Sequence, residues 1–242
     1  MKVIKLDAID STNEFLKGLS NQQNINNFTV VTANSQTKGK GQMGAVWSSE
    51  VGKNLIMSIL IKDFLLNVHQ IFNLNILVSV SILEVLQSLN IPKLSIKWPN
   101  DIMSDNKKIG GILIENSVKG DGTIASVVGL GLNVNQTNFE NLPRASSLVI
   151  MSGQNFELEN LLYTIAETIE KNFILWQSLK LLFNSKYTSY LFKKGIPMPF
   201  SDMQSNKFMG IIQGVSATGK LKIMLEDDSI PEFDIKEVQM LY

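Results

Sequence analysis

Between Asn67 and Leu89, apolar side chains recur at Ile71, Leu74, Leu77, Val78, Ile82, Val85, Leu86 and Leu89, mostly three or four residues apart. That spacing belongs to an amphipathic helix, because a strand places its side chains with a period of two. Short β-rich runs lie on both sides of it: Phe28 to Ala33 and Asn54 to Lys62 before, and Leu94 to Trp98, Ile109 to Glu115 and Thr123 to Asn135 after. Turn-forming residues separate them at Pro99-Asn100-Asp101, around Asp105 and Asn106, and at Lys119-Gly120-Asp121-Gly122. Helical spacing returns from Glu157 to about Phe192, with one break expected near Asn184. From Pro197 the pattern is short strands, with turns at Ala217-Thr218-Gly219 and Asp227-Asp228. The expectation is an α+β chain with a sheet-and-helix core over residues 1–190 and a small β-barrel over 191–242.

Composition removes several chemistries. The 242 residues include no cysteine, one histidine (His69) and one arginine (Arg144). A thiolate nucleophile, a disulfide framework, a cysteine zinc site and a histidine-rich metal centre are therefore excluded. With 22 basic and 22 acidic side chains the net charge is zero, which disfavours holding DNA or an anionic membrane through a broad electrostatic field. The longest apolar run, Ile76 to Leu83, is interrupted by Ser79 and Ser81 and falls well short of the ~20 residues that span a bilayer. Residues 1–10 do not read as a signal peptide, so a cytoplasmic protein is expected.

Four segments carry candidate chemistry. Asp10-Ser11-Thr12-Asn13-Glu14 has capping-box spacing, with Ser11 as N-cap and Glu14 reaching back. The same helix start could hold a neutral polar group such as a urea or an amide. Gln36 to Trp47 contains Gly39, Gly41 and Gly44, with Lys38 and Lys40 and no acid. It reads either as a solvated loop or as a basic cradle for phosphate or carboxylate. It matches no Walker motif, and no acidic residue about twenty positions on supports a dinucleotide fingerprint. Lys97-Trp98-Pro99-Asn100-Asp101 meets a turn, from which a hairpin can return Lys108 beside it; the pair Gly110-Gly111 marks close approach by a ligand or a backbone. Gly129-Leu130-Gly131-Leu132-Asn133 reads as a bulge or as a second close approach. His69 receives no role, and Arg144 reads as a solvated loop charge.

Taken in order, these segments resemble the biotin protein ligases, with the β-rich tail resembling their small SH3-like unit. The resemblance implies a mixed β-sheet with packed helices, of the class II synthetase type. It also implies ATP-dependent activation of biotin to biotinyl-5′-adenylate, with Mg²⁺ accompanying ATP, and transfer to a lysine of a biotin carboxyl carrier domain. Ser11, Thr12, Asn13, Gln36, Lys40, Gly41, Gln42, Lys108 and Gly111 would bind biotin. Lys40, Gly44, Trp47, Asn100, Lys108 and Asn133 would serve the nucleotide. Lys108 would be the catalytic cation and Asp101 would help deprotonate the carrier lysine, with no metal fixed by protein residues alone. Where many members carry arginines in the glycine loop, this chain has Lys40, Gln42 and Met43. Some relatives begin with a helix-turn-helix repressor unit, whereas here the Asp-Ser-Thr-Asn segment starts at residue 10, so no operator binding is expected. The expected form is a monomer or homodimer without nucleic-acid or membrane partners. Lipoate or octanoate protein ligases and transferases of the same architecture, and a non-catalytic ligand- or carrier-binding module, are the alternatives.

Overall fold

A computed structural model of the chain describes residues 1–65, 70–118, 120, 122–140 and 142–242. His69 and the start of the expected helix at Asn67 lie outside the described residues, as do Lys119 and Asp121 of the expected turn.

Seven strands form one sheet in the order β1-β2-β3-β7-β6-β5-β4. These are β1 (Lys2–Ile9), β2 (Thr29–Gln36), β3 (Leu55–Lys62), β4 (Leu94–Lys97), β5 (Asp101–Ser104), β6 (Lys107–Val118) and β7 (Ile124–Leu132). Only β1 and β2 are parallel, joined by the crossover helix α1 (Thr12–Gln22); the other neighbours are antiparallel, so the sheet is mixed. Strand β1 had no counterpart in the sequence pattern. It lies at the sheet edge with one neighbour, where Lys2, Lys5 and Asp7 are tolerated and discourage further strand pairing.

The two faces of the sheet are covered unequally. Val30, Met57, Ile59, Ile61, Val128, Leu130 and Leu132 point into the larger core, where they meet the helices α2 (Ile71–Ser88) and α4 (Leu158–Ser189), the short helix α3 (Leu148–Ser152) lying between these two in the chain. Their strand neighbours Val31, Leu60, Ala125 and Val127 face the other way and pack on Leu16 of α1. Period-two geometry thus splits each central strand between two cores. Helix α2 is long and apolar enough to cross a membrane by length and composition, but 72% of it is buried within the protein. It is a core helix between the sheet and α4. Helix α4 departs from helical geometry at Leu179 (φ −118°, ψ 16°), so the break falls five residues before the expected Asn184.

Residues after α4 form a second, antiparallel sheet of five strands in the order β11-β10-β9-β8-β12, matching the small SH3-like unit. The strands are β8 (Pro197–Asp202), β9 (Lys207–Val215), β10 (Leu221–Met224), β11 (Glu232–Phe233) and β12 (Val238–Met240). This sheet is joined to the Trp98 segment: the Trp98 indole N–H donates to the Gly219 carbonyl at 2.8 Å. The Phe72 ring occupies the space that a Cβ on Gly219 would need.

Candidate active site

A cavity of about 300 Å³ opens on the α1 face of the large sheet. Its floor follows from strand register. Ile56 of β3 pairs with Gly131 of β7, Gly131 with Gly111 of β6, and Gly111 with Asp101 of β5, forming a transverse row across four strands. One step along, Ser58 pairs with Gly129 and Gly129 with Leu113. Gly129 and Gly131 are two apart and so share the cavity face. A side chain on Gly131 would overlap the Trp47 ring, and one on Gly129 would overlap the Asn13 amide. The glycines therefore admit an indole and an amide where ordinary strand residues would fill the space.

One wall comes from the start of α1. Parallel pairing places Ile9 of β1 beside Gln36 of β2, so the helix start and Gln36 meet at the same end of the sheet. Ser11 is the N-cap, its hydroxyl accepting from the Glu14 backbone N–H at 3.5 Å. The Gln36 Oε1 accepts from the Thr12 backbone N–H at 2.8 Å and from its hydroxyl at 3.1 Å. This fixes the amide and leaves the Nε2 donors without a partner among the described residues. The Ser58 hydroxyl donates to Asn13 Oδ1 (2.6 Å) and lies in hydrogen-bond contact with the Thr12 hydroxyl (2.7 Å), while Asn13 Nδ2 donates to Glu115 Oε2 (2.9 Å). Ser11, Thr12, Asn13 and Ser58 are each under 5% exposed, a degree of burial that polar groups tolerate only within a bonded network.

At the opposite end, the Lys108 Nζ lies 2.6 Å from Asp101 Oδ1, and Lys97 Nζ lies 3.8 Å from the other carboxylate oxygen. Asn100 clamps the two segments together, its side-chain amide donating to the Ile112 carbonyl at 2.7 Å while its own carbonyl accepts the Ile112 N–H at 3.0 Å. The loop that follows β7 also supports Lys108: its backbone N–H donates to the Arg144 carbonyl at 2.8 Å, and its carbonyl accepts from Ser146 at 2.9 Å.

The glycine loop folds over the cavity as a small hairpin. Lys40 bridges to Val46, Trp47 donates to the Gly39 carbonyl at 3.0 Å, and Gln42–Gly44 form a single 3-10 turn in which Met43 takes φ 56°. Trp47 enters the cavity with its indole N–H buried and unpartnered among the described residues. Ion pairs tie the loop to the protein: Lys38 to Asp10 at 2.8 Å and Lys40 to Glu14 at 2.6 Å. The Lys40 ammonium holds the Glu14 carboxyl below its usual range and is itself raised by that carboxylate. Glu14 therefore does not complete the expected capping box. A charge-assisted bond to Lys40 replaces the return to the Ser11 N–H.

The biotin/lipoate A/B protein ligase family model matches residues 6–133, which contain the second half of β1, all of β2 to β7 and nearly all of the residues that line the cavity. The chain belongs to this family. The bifunctional ligase/repressor BirA of Bacillus spizizenii is 30% identical over 196 residues, covering 74% of this chain and 59% of that protein. The biotin–protein ligase of Homo sapiens is 35% identical over 145 residues, 56% of this chain and 19% of its own length. The biotin protein ligase from Aquifex aeolicus in complex with biotin and ATP superposes with a TM-score of 0.81 at 27% identity, covering 99% of this chain and 98% of that one. The chain thus spans 59% of the length of the Bacillus relative.

Within this family member, the cavity is lined by Ser11, Thr12, Asn13, Gln36, Lys40, Gly41, Gln42, Trp47, Asn100, Asp101, Lys108 and Gly111 among the expected residues. Gly44 and Asn133 are not among its lining. Asn133 is buried and spends its amide on the Ser146 carbonyl at 2.9 Å, holding the loop that supports Lys108. Sequence reading missed Ser58, Glu115, Ile235 and Lys236. Ser58 did carry a signal, as the only polar residue inside the buried run Leu55–Ile61. Lys236 lines the cavity from the turn between β11 and β12, at φ 74° and without an ion pair among the described residues, and no local pattern announces it.

Proposed function

We propose that this protein activates biotin with ATP to biotinyl-5′-adenylate and transfers biotin to a lysine of a biotin carboxyl carrier domain. The observation that carries this reading is a single cavity with a neutral hydrogen-bonding end at Ser11, Thr12 and Gln36 and a cationic end at Lys108. Biotin has the same two ends, a ureido ring and a carboxylate. The relatives named as ligases and the Aquifex complex with biotin and ATP support the reading.

In the first step a carboxylate oxygen attacks the α-phosphorus, and the bond to pyrophosphate breaks. Two anions must meet, so the catalytic requirement is cationic charge where negative charge grows. Lys108 would bridge carboxylate and α-phosphate, with Lys40 and Lys236 at the mouth of the cavity adding positive charge. Ser11 and Gln36 Nε2 would address the ureido group, whereas Asn13, whose amide is already held by Ser58 and Glu115, would shape that end rather than extend a free donor. Trp47 would pack against the ligand over Gly131, and Asn100 would fix the nucleotide-side wall. In the second step the carrier lysine attacks the acyl carbon, AMP leaves, and Asp101 accepts the amine proton.

Among the described residues no group of three or more His, Asp or Glu side chains would hold a metal ion, so Mg²⁺ would arrive on the triphosphate and neutralise its charge. Residues 1–190 would form the catalytic unit and 191–242 the small C-terminal unit, in a cytoplasmic protein.

Incubation with ATP, biotin and a carrier domain, followed by mass measurement of the carrier, tests the proposal. A carrier bearing one biotinyl group per molecule is expected. Pyrophosphate release with lipoate but not biotin would move the assignment to the lipoate branch of the family.

A further inference from the structure

Tyr242 places its ring near two cations close to Lys108, the Lys97 ammonium and the Arg144 guanidinium. Its ring centroid is 5.0 Å from Lys97 Nζ and 4.7 Å from the Arg144 guanidinium carbon, both within the range of a cation–π attraction. The ring is anchored independently of either cation. It packs edge-on against Phe192 at 5.2 Å, and the preceding Leu241 N–H donates to the Pro199 carbonyl at 2.9 Å. Phe192 is in turn bonded through its backbone N–H to the Ile96 carbonyl, one residue before Lys97, at 2.9 Å. Each cation on the ring is one link from the reacting pair. Lys97 faces Asp101 Oδ2 at 3.8 Å, and the Arg144 carbonyl accepts the Lys108 backbone N–H at 2.8 Å.

The two lysines beside Asp101 are unequal. Lys108 makes a hydrogen-bonded contact at 2.6 Å, while Lys97 stops about 1 Å beyond the usual length of such a bond. A lysine stem has ample freedom to close that distance, and the Tyr242 ring, 5.0 Å from the same ammonium, competes with the carboxylate for it. We propose that Tyr242 is a positioning residue: its ring holds the Lys97 ammonium back from Asp101, leaving one carboxylate oxygen free for the proton of the incoming lysine. This rests on the ligase reading above and deepens it. Without the ring, Lys97 closes on Oδ2, both oxygens are occupied by ammonium groups, and transfer slows while adenylate formation, which relies on Lys108, changes little. The Tyr242 hydroxyl has no partner among the described residues, so the ring and not the phenol carries the effect.

The test is a cycle of Tyr242→Leu, Tyr242→Phe and Lys97→Met, alone and combined, with pyrophosphate release and carrier biotinylation measured separately. Tyr242→Leu is expected to lower the kcat of transfer about tenfold at an unchanged rate of pyrophosphate release. Tyr242→Phe should retain wild-type transfer, and in the Lys97→Met background Tyr242→Leu should have no further effect. Wild-type transfer by Tyr242→Leu would overturn the proposal. So would an equal loss in the presence and absence of Lys97, since the ring would then act through packing alone. A wild-type protein that releases no pyrophosphate with biotin and ATP would instead refute the ligase reading itself.

Discussion

The Lys108 ammonium reaches Asp101 at 2.6 Å because the register of β5 and β6 shifts between Ile102 and Met103. Gly110 pairs with Ile102 and Lys108 with Met103, so Ile109 is the extra residue of a bulge. In a regular strand Lys108 and Gly111, three apart, would point to opposite faces. The bulge turns them to the same one, and a Cβ on Gly111 would lie 3.4 Å from the Lys108 Nζ. Lys108 is 36% and Asp101 17% exposed, so the pair stands at the cavity rather than inside the core.

Lys108→Ala should lower pyrophosphate release by about 10²- to 10³-fold, the scale of losing a group that stabilises developing charge. Its melting temperature should stay near that of the parent protein, because the side chain is only partly buried. Stopped-time pyrophosphate assays with calorimetric scans check both. Near-normal turnover would remove Lys108 from the mechanism.

Asp101→Asn keeps the shape of the turn and loses the base. Adenylate should still accumulate, while its transfer to the carrier lysine falls about a hundredfold, in the range of general base catalysis. Single-turnover transfer from preformed adenylate measures this step alone.

Two glycines should respond in opposite directions to alanine. At Gly129 the new methyl overlaps the Asn13 amide, which must leave Ser58 and Glu115; biotin affinity by titration calorimetry should fall about tenfold, the scale of one disrupted buried bond. Gly18, inside α1, has nothing within 4 Å of the position a Cβ would take, so Gly18→Ala should stabilise by about 0.5–1 kcal/mol through helix propensity without altering turnover. Thermal scans of the two variants check the second expectation.

The Glu14–Lys40 pair should hold the glycine loop over a defined pH window. Glu14 is lowered from 4.5, so its contribution is complete above that value and fades as pH falls through the lowered one. Lys40 is raised from 10.5, so its contribution is complete below that value and fades as pH rises through the raised one. Both groups are about half exposed, so salt should weaken the pair. Adenylate dissociation, followed by filtration, should be flat between about pH 6 and 9 at fixed salt, on the basis of these shifts. It should be faster in Glu14→Gln, with the difference between the two proteins narrowing as salt is raised, because both charges are exposed and their attraction is weakened by ions. A wild-type rate indifferent to both salt and the substitution would exclude the latch.

The sequence by itself determined the helix through Ile71–Ser88, the central strands, the Ser11 cap and the hairpin that carries Lys108, because each is written in local spacing or turn chemistry. Edge strand β1 escaped because one neighbour imposes little alternation, and the helix break at Leu179 has no Gly or Pro to mark it. Tertiary structure alone decided that Glu14 turns to Lys40, that Asn133 props a loop, that Arg144 and Lys97 share the Tyr242 ring, and that Lys236 arrives from the turn between β11 and β12. The reason is physical: a side chain's partner is set by strand register and by packing between segments far apart in the chain, and neither leaves a periodic trace in the sequence.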